Sequence, residues 1–427
     1  MTEDPAVFET FDAVADDLNN RLDDHDMSDR DAVHWIRLMA AEVRFLEALV
    51  AGRRGTYLSA AWKARSARSG LADLEDDAPD FADPLFALGL IRTTVATLPR
   101  TQRFFLRILG FRGDATEGRK QLRRAARESV VNRYPARAVL AVLDLIVRGE
   151  TDSGLRQLRA IYQDTPQSLF SAYLLTFALT ENRQIDEAES VLARARSAET
   201  RPGYCHLGYL DYFEGYIRFV NTEFTAAAEH LLTYTEQHVG DALRAQALLY
   251  AGLATEMSNG WETARPTYEQ VEAFRDFDSD RWAARWADKR KKRPMHDAEK
   301  RLLKARLAFD RGDLTDATEF AQSVWDMPDL TDATSDAMAE AAYRLGRVHH
   351  ERESWEQAIR FYGEAIQNPG NEESKWAPYS LYYTGQILMR LGREEEAHDM
   401  FERAIDWPTP YDYSDGLEQM ASSALDS

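Results

Sequence analysis

The stretches YRLGRVHHERESWEQAIRFYGEAI (343–366) and YYTGQILMRLGREEEAHDMFERAI (382–405) decide the fold, because one repeats the other 39 residues later. Gly346, Ala358, Tyr362 and Ala365 recur as Gly385, Ala397, Phe401 and Ala404. A small residue late in one helix lets a small residue early in the next pack close, and the aromatic plugs the gap between them. Pro369 and Pro408 stand where each second helix must stop, since proline cannot continue the hydrogen-bond ladder. The spacing is that of a repeated helix–turn–helix unit of about 34 residues.

Working outward, the small anchor of the second helix appears at Ala60, Gly118, Gly154, Ala188, Ala227, Ala264, Ala317, Ala358 and Ala397, at gaps of 58, 36, 34, 39, 37, 53, 41 and 39. Leu122, Leu158, Leu192, Leu231, Tyr268, Tyr362 and Phe401 follow their anchors by four, on the same helix face. The reading is therefore all-α: a right-handed superhelical solenoid of nine units over residues 31–409, about eighteen helices, with no sheet. The two widest gaps are read as long loops near 71–84 (LADLEDDAPDFADP) and 275–295. Val7, Phe8, Phe11, Val14, Leu18 and Leu22 lie at helical spacing, so residues 1–30 form a capping helix or an acidic tail. Residues 410–427 are read as a C-terminal cap.

Composition narrows the function. The net charge of −20 disfavours duplex nucleic acid, whose binding needs clustered cations. One cysteine, Cys205, excludes an internal disulfide or a multi-cysteine metal knot. No apolar run is long enough to span a bilayer, and the first residues are acidic where a secretion signal is basic, so a cytoplasmic location is expected. Lysine is scarce beside arginine and aspartate abundant, which fits equally a salt-rich cytoplasm or a GC-rich genome.

The segment from Phe86 to Pro99, then Phe104 to Asp114, then Gly118 and Leu122, resembles the tetratricopeptide repeat protein 39 family, whose fungal branch is the inclusion-body clearance proteins. The shared features are an apolar helix closed by Leu98-Pro99, a leucine-rich helix, and the Gly110-Phe111-Arg112-Gly113-Asp114 turn into another helix. Ala61-Trp62-Lys63, His206-Leu-Gly-Tyr-Leu and Trp376-Ala-Pro-Tyr with Tyr411-Asp-Tyr and Leu417 add to the likeness. The resemblance implies tetratricopeptide-like repeats without catalytic residues; the chain's shortness and acidity imply a prokaryotic relative.

Several constellations touch on chemistry. Gly113 to Lys120 is two substitutions from a phosphate-binding loop, but it lacks the preceding strand, and Gly118 is already a repeat anchor. Cys205 and His206 are neighbours, which on a helix point apart and make no nucleophile–base pair. His349, His350 and Glu353 offer possible metal ligands, with His349 and Glu353 sharing a face, yet two ligands close no site. Neither cofactor nor metal is predicted. The run Lys289, Arg290, Lys291, Lys292 and Arg293 could dock an acidic partner or simply be a solvated loop.

The concave groove is the best candidate. First-helix positions 2, 5, 9 and 12 face it, giving Phe170, Tyr173, Phe177 and Thr180 in the middle and Tyr343, Tyr379, Tyr382, Gln386 and Met389 at the end. A tightly curled superhelix would instead bury these rings against one another. Tyr209, Tyr212, Tyr216 and Phe219 hold the same positions, but Asp211, Glu214 and Arg218 form a polar stripe on the opposite face. A polar stripe belongs in water, so this helix is expected to be rotated with its aromatics in the core. The predicted function is a non-catalytic cytoplasmic adaptor that binds a protein or peptide on the concave face. The alternatives are a small-ligand or lipid binder and, behind it, a metal-dependent enzyme; no set of polar groups converges independently of repeat packing.

Overall fold

A computed structural model describes residues 4–23, 30–97, 111, 113–146, 150–204, 206–274, 277–327, 335–370 and 374–425. Among the described residues every regular element is a helix and there is no strand, an all-α repeat solenoid. Among the described residues nine pairs of successive helices follow one another along the chain. They are α2 (Arg30–Arg53) and α3 (Tyr57–Asp77), α4 (Pro84–Thr97) and α5 (Ala115–Glu128), α6 (Arg133–Ile146) and α7 (Thr151–Asp164), α8 (Leu169–Glu181) and α9 (Ile185–Glu199), α10 (Tyr209–Val220) and α11 (Phe224–Gln237), α12 (Arg244–Asn259) and α13 (Trp261–Glu269), α15 (Asp297–Arg311) and α16 (Leu314–Trp325), α17 (Ser335–Glu351) and α18 (Trp355–Gln367), and α19 (Trp376–Arg390) and α20 (Glu394–Ile405). Outside the pairs stand α1 (Pro5–Asp23), α14 (Asp278–Lys292) and α21 (Ser414–Leu425). The chain divides into two compact units, residues 1–178 and 179–427, although the repeat spacing runs through that boundary unbroken.

The anchors explain why the pairs form. Every anchor is the fourth residue of its helix, and all from Gly118 onward are buried, whereas Ala60 is half-buried. The partner residue lies twelve positions earlier, at Gly215, Gly252, Gly346 and Gly385. A Cβ on Gly385 would come within 2.6 Å of the Phe401 ring, on Gly252 within 2.5 Å of Tyr268, and on Gly215 within 2.6 Å of Leu231. In these four pairs the side chain four residues after the anchor therefore lies directly on the glycine of the preceding helix. These contacts are dense enough to hold short helices that would be marginal alone in water.

Both expected long loops are largely helical. Residues 71–77 complete α3, because Leu71 and Leu74 turn into the core with no exposure at all. Only a short connection remains, fixed by Asp83, whose carboxylate accepts from the N–H groups of Val130, Val131 and Asn132 at 2.9, 2.8 and 3.0 Å. Residues 278–292 form α14, whose Trp282, Ala283, Ala287 and Arg290 are buried. The polar composition that suggested a loop reflects a helix whose charges are paired internally. The leucine-rich helix expected between Pro99 and Gly110 lies outside the described residues.

The terminal helices are each held by a few contacts. Arg54, at the α2–α3 turn, pairs with Asp12 of α1 at 2.6 Å and lies over the Phe8 ring. In α21, Leu417 and Ala421 pack with Tyr411 into the cluster around Leu381 and Phe401.

Candidate binding surface

In unit 2 the residues just after the small first-helix positions Gly215, Gly252, Ala305, Gly346 and Gly385 are Tyr216, the buried Leu253, Arg306, Arg347 and Gln386. Their helices bring Tyr216, Arg306 and Arg347 to one inner face, where α14 and the segment before α21 join them. Tyr216 lies 5.6 Å from Tyr250, Tyr250 lies 6.0 Å from Trp282, and Trp282 lies 5.8 Å from Tyr413 between ring centroids. Arg306 donates to the Tyr250 hydroxyl at 2.9 Å and lies over both the Tyr250 and Trp282 rings. Its Nε faces Asp310 at 3.3 Å. Arg347 donates to the hydroxyls of Tyr383 at 2.8 Å and Tyr343 at 3.2 Å, beneath Phe309. Both arginines still keep 23% of their side-chain surface accessible.

Lys375, just before α19, completes the set. Its Nζ lies 4.5 Å from the Tyr413 centroid, 5.5 Å from Trp376, 5.8 Å from Trp282 and 5.9 Å from Tyr379. Burial among these rings, with the charge of Arg306 next, lowers its amine from the usual lysine range to about 8. The inner face of unit 2 is thus a wall of aromatic rings carrying three cations, inside a protein of net charge −20.

The aromatics singled out from sequence separate by accessibility. Tyr343 and Tyr382 are both 8% exposed: Tyr343 packs between Tyr362, Trp376 and Tyr383, and Tyr382 lies against Phe401. Tyr379 is half-buried and donates to the Tyr413 carbonyl at 3.3 Å. Gln386 donates to the Tyr382 hydroxyl at 2.8 Å. On α8, Phe170 is exposed, Tyr173 and Phe177 are half-buried and Thr180 is buried.

The α10 expectation needs correcting in one respect. Tyr209, Tyr212 and Phe219 are buried as expected, but the helix is not rotated: Gly215 meets Leu231 in the register of every other pair. The polar stripe is not in water either. Arg196 of α9 binds Asp211, Glu214 at 3.2 Å and Glu199 at 2.7 Å, so Asp211 and Glu214 belong to an ion-pair network in the α9–α10 contact, while the partly exposed Arg218 pairs with Glu223 at 2.5 Å.

The basic run is also placed differently from the expected loop. Arg290 is completely buried and forks onto Glu299 at 3.0 and 2.6 Å, and Arg293 binds the same carboxylate. Lys289 faces Glu299 and Asp336, and Lys291 pairs with Asp288 at 2.9 Å. Lys292 is the exposed member of the run. Burial alone would raise the Glu299 pKa, but the hydrogen bonds from Arg293 and Arg290 outweigh it and hold the carboxyl well below the usual carboxylate range.

The remaining constellations serve the fold. Asp114 caps α5 by accepting from Glu117 N–H at 2.9 Å, and a Cβ on Gly118 would come within 2.9 Å of the Gly89 carbonyl. His349 stacks on Phe361, and His350 faces the Tyr362 hydroxyl at 3.3 Å with its pKa lowered to about 4 by burial and by Arg347. Glu353 does not share the helix face of His349: α17 ends at Glu351, and Glu353 lies in the turn with φ of 55°. Among the described residues no three His, Cys, Asp or Glu side chains group as metal ligands. Cys205 lies outside the described residues; His206 approaches Asp211 at 2.8 Å. Among the described residues, no helix is long and apolar enough to cross a membrane.

No protein-family model matches the chain, and no curated protein does. Solved structures that match include a tetratricopeptide repeat protein from Parabacteroides merdae ATCC 43184, at 13% identity and TM-score 0.30, covering 68% of this chain and 98% of that one. The human IFIT1 dimer with PPP-AAAA matches at 16% identity and TM-score 0.29, over 92% of this chain and 94% of that one. The APC/C hetero-tetramer Cut9-Hcn1 matches at 15% identity and TM-score 0.31, over 86% and 67%.

Of the aromatics on this surface the sequence reading chose Tyr343 and Tyr379; it missed Tyr250, Trp282, Tyr383 and Tyr413, set Tyr216 aside, and missed the cations. Arg306 and Arg347 were findable, since both directly follow the small residue of a first helix. Lys375 was not, because it precedes its helix and only the packing of α14 and the 411–413 segment surrounds it.

Proposed function

We propose that the protein is a non-catalytic adaptor that receives a protein or peptide segment on the inner face of unit 2. The observation that carries this reading is the accessible surface left on Arg306, Arg347, Lys375 and Tyr379 along one aromatic wall. Arginine and tyrosine on rigid helices are the residues that dominate protein interfaces, because they bury large area at small entropic loss. The resemblance of residues 86–122 to the tetratricopeptide repeat protein 39 family points the same way.

The test compares capture from native extract by the wild-type chain and by Arg347→Met and Tyr379→Ala, with thermal melts as folding controls. A partner retained by the wild type and lost by both folded variants supports the reading. A partner that binds all three equally overturns it.

A further inference from the structure

Lys375 is the one cation of the inner face whose ammonium has no carboxylate within ion-pair distance among the described residues. Arg306 has Asp310 at 3.3 Å, Arg347 has Glu351 at 4.0 Å, and Arg344, which lies over Trp376, is bound to Glu340. The carboxylates that act on Lys375, Asp412 and Glu340, are held by Arg285 and Arg344 respectively. Arg306 and Arg344 face it with like charge, and the Tyr379 and Tyr413 rings flank it. Four rings at 4.5 to 5.9 Å attract an ammonium through their faces, yet rings alone give its three N–H donors no oxygen acceptor, and none is in place among the described residues. Arg306 lies over the same indole, Trp282, at 5.4 Å. Two cations against one ring, one of them without a counter-charge, in a site that keeps accessible surface, form half of an ion pair.

Resting on the reading of this face as a binding surface, we propose that Lys375, with Arg306 beside it, receives an oxyanion carried by the ligand, a carboxylate or a phosphate. An anion there would supply acceptors to the three ammonium donors and offset the repulsion between the two cations. The aromatic wall would exclude water from the pair and strengthen it. The groups around Lys375 also make the site pH-dependent. Against burial, which alone would lower its pKa, Arg306 is held above the ordinary arginine range by the Tyr250 and Asp310 charges and stays protonated, so the loss of affinity with rising pH reports the amine itself.

The chain has eight lysines, so selective carbon-13 labelling of lysine gives a countable set of side-chain signals. The Lys375 signal is assigned by its loss in Lys375→Met, a variant that keeps an unbranched apolar stem between the rings. The wild-type protein is titrated with pH in sodium chloride, inorganic phosphate and sodium acetate at matched ionic strength. The expected result is a Lys375 midpoint that rises by about one pH unit in phosphate, in acetate or in both, relative to chloride. A response to phosphate alone assigns a phosphate-bearing ligand, and a response to acetate alone a carboxylate. Lys375→Arg is expected to keep the thermal stabilisation that the effective anion gives the wild type, and Lys375→Met to lose it. A midpoint equal in all three salts overturns the site. So does a stabilisation equal in wild type and Lys375→Met. The readout needs no partner, so a shifted midpoint with failed partner capture sinks the adaptor reading and leaves the oxyanion site standing.

Discussion

At the scale of single residues, space rather than residue type decides what each glycine does. A Cβ on Gly385 meets the Phe401 ring at 2.6 Å, whereas one on Gly363, in the middle of α18, meets nothing within 4 Å. Gly385→Ala is therefore expected to destabilise by about 1–3 kcal/mol, since the ring beside it must move within a close-packed pair. Gly363→Ala should stabilise by about 0.5–1 kcal/mol, because alanine lowers the entropy of the unfolded chain and fits the helix. Denaturant melts of the two variants check both signs; equal effects would mean that the Phe401 ring does not sit on Gly385. The same pairing was visible in the sequence as Gly385 and Phe401, sixteen residues apart. The openness around Gly363 was not, because it depends on which face of α18 has no neighbour.

At the scale of elements, one carboxylate ties the end of α14 to α15. Glu299 at the start of α15 accepts from Arg290 and Arg293 and from the backbone N–H of His296 at 2.8 Å. Its folded pKa lies below the unfolded value, so this group contributes stability above the unfolded carboxylate range that is lost as pH falls. His350 acts earlier on the same limb. Burial and the Arg347 charge lower its pKa from the ordinary histidine value of 6.5 to about 4, so its contribution is full above 6.5 and fades as pH falls from there to about 4. The wild type is expected to lose stability in two steps on acidification. His350→Gln should flatten the slope between pH 6.5 and 4, and Glu299→Gln the slope below that. Thermal melts across this range check the order; unchanged slopes in both variants would remove these two groups from the acid response. Periodicity gave α15 to α20 readily. It gave α14 poorly, because its buried face is built from Trp282, two alanines and an arginine whose charge is cancelled by another helix.

At the scale of the molecule, unit 2 brings together residues far apart in sequence. Arg285 of α14 binds Asp412, Arg281 reaches Asp415 at 3.0 Å, and Gly416 N–H donates to Asp278 at 3.3 Å. With Arg285 about one-third exposed, solvent weakens the pair. A double-mutant cycle of Arg285→Met and Asp412→Asn should give a coupling of about 0.5–1 kcal/mol. A coupling of zero would show that the end of the chain does not fold back onto α14 in solution. This return is what puts Tyr413 over Lys375.

The sequence by itself determined the repeat: small anchors, plugs four residues later and prolines at helix ends are local requirements of packing one helix on the next. It also determined the all-helical class, because no stretch alternates with the period of a strand. Only the tertiary structure decided which inner-face side chains stay accessible. How tightly successive pairs wind depends on many small contacts, and that winding buried Tyr343 and Tyr382 while leaving surface on Arg306, Arg347 and Lys375. Charge followed the same rule. The run from Lys289 to Arg293 looked like a free patch because its neutralising partner, Glu299, becomes legible as a partner only once α14 lies against α15.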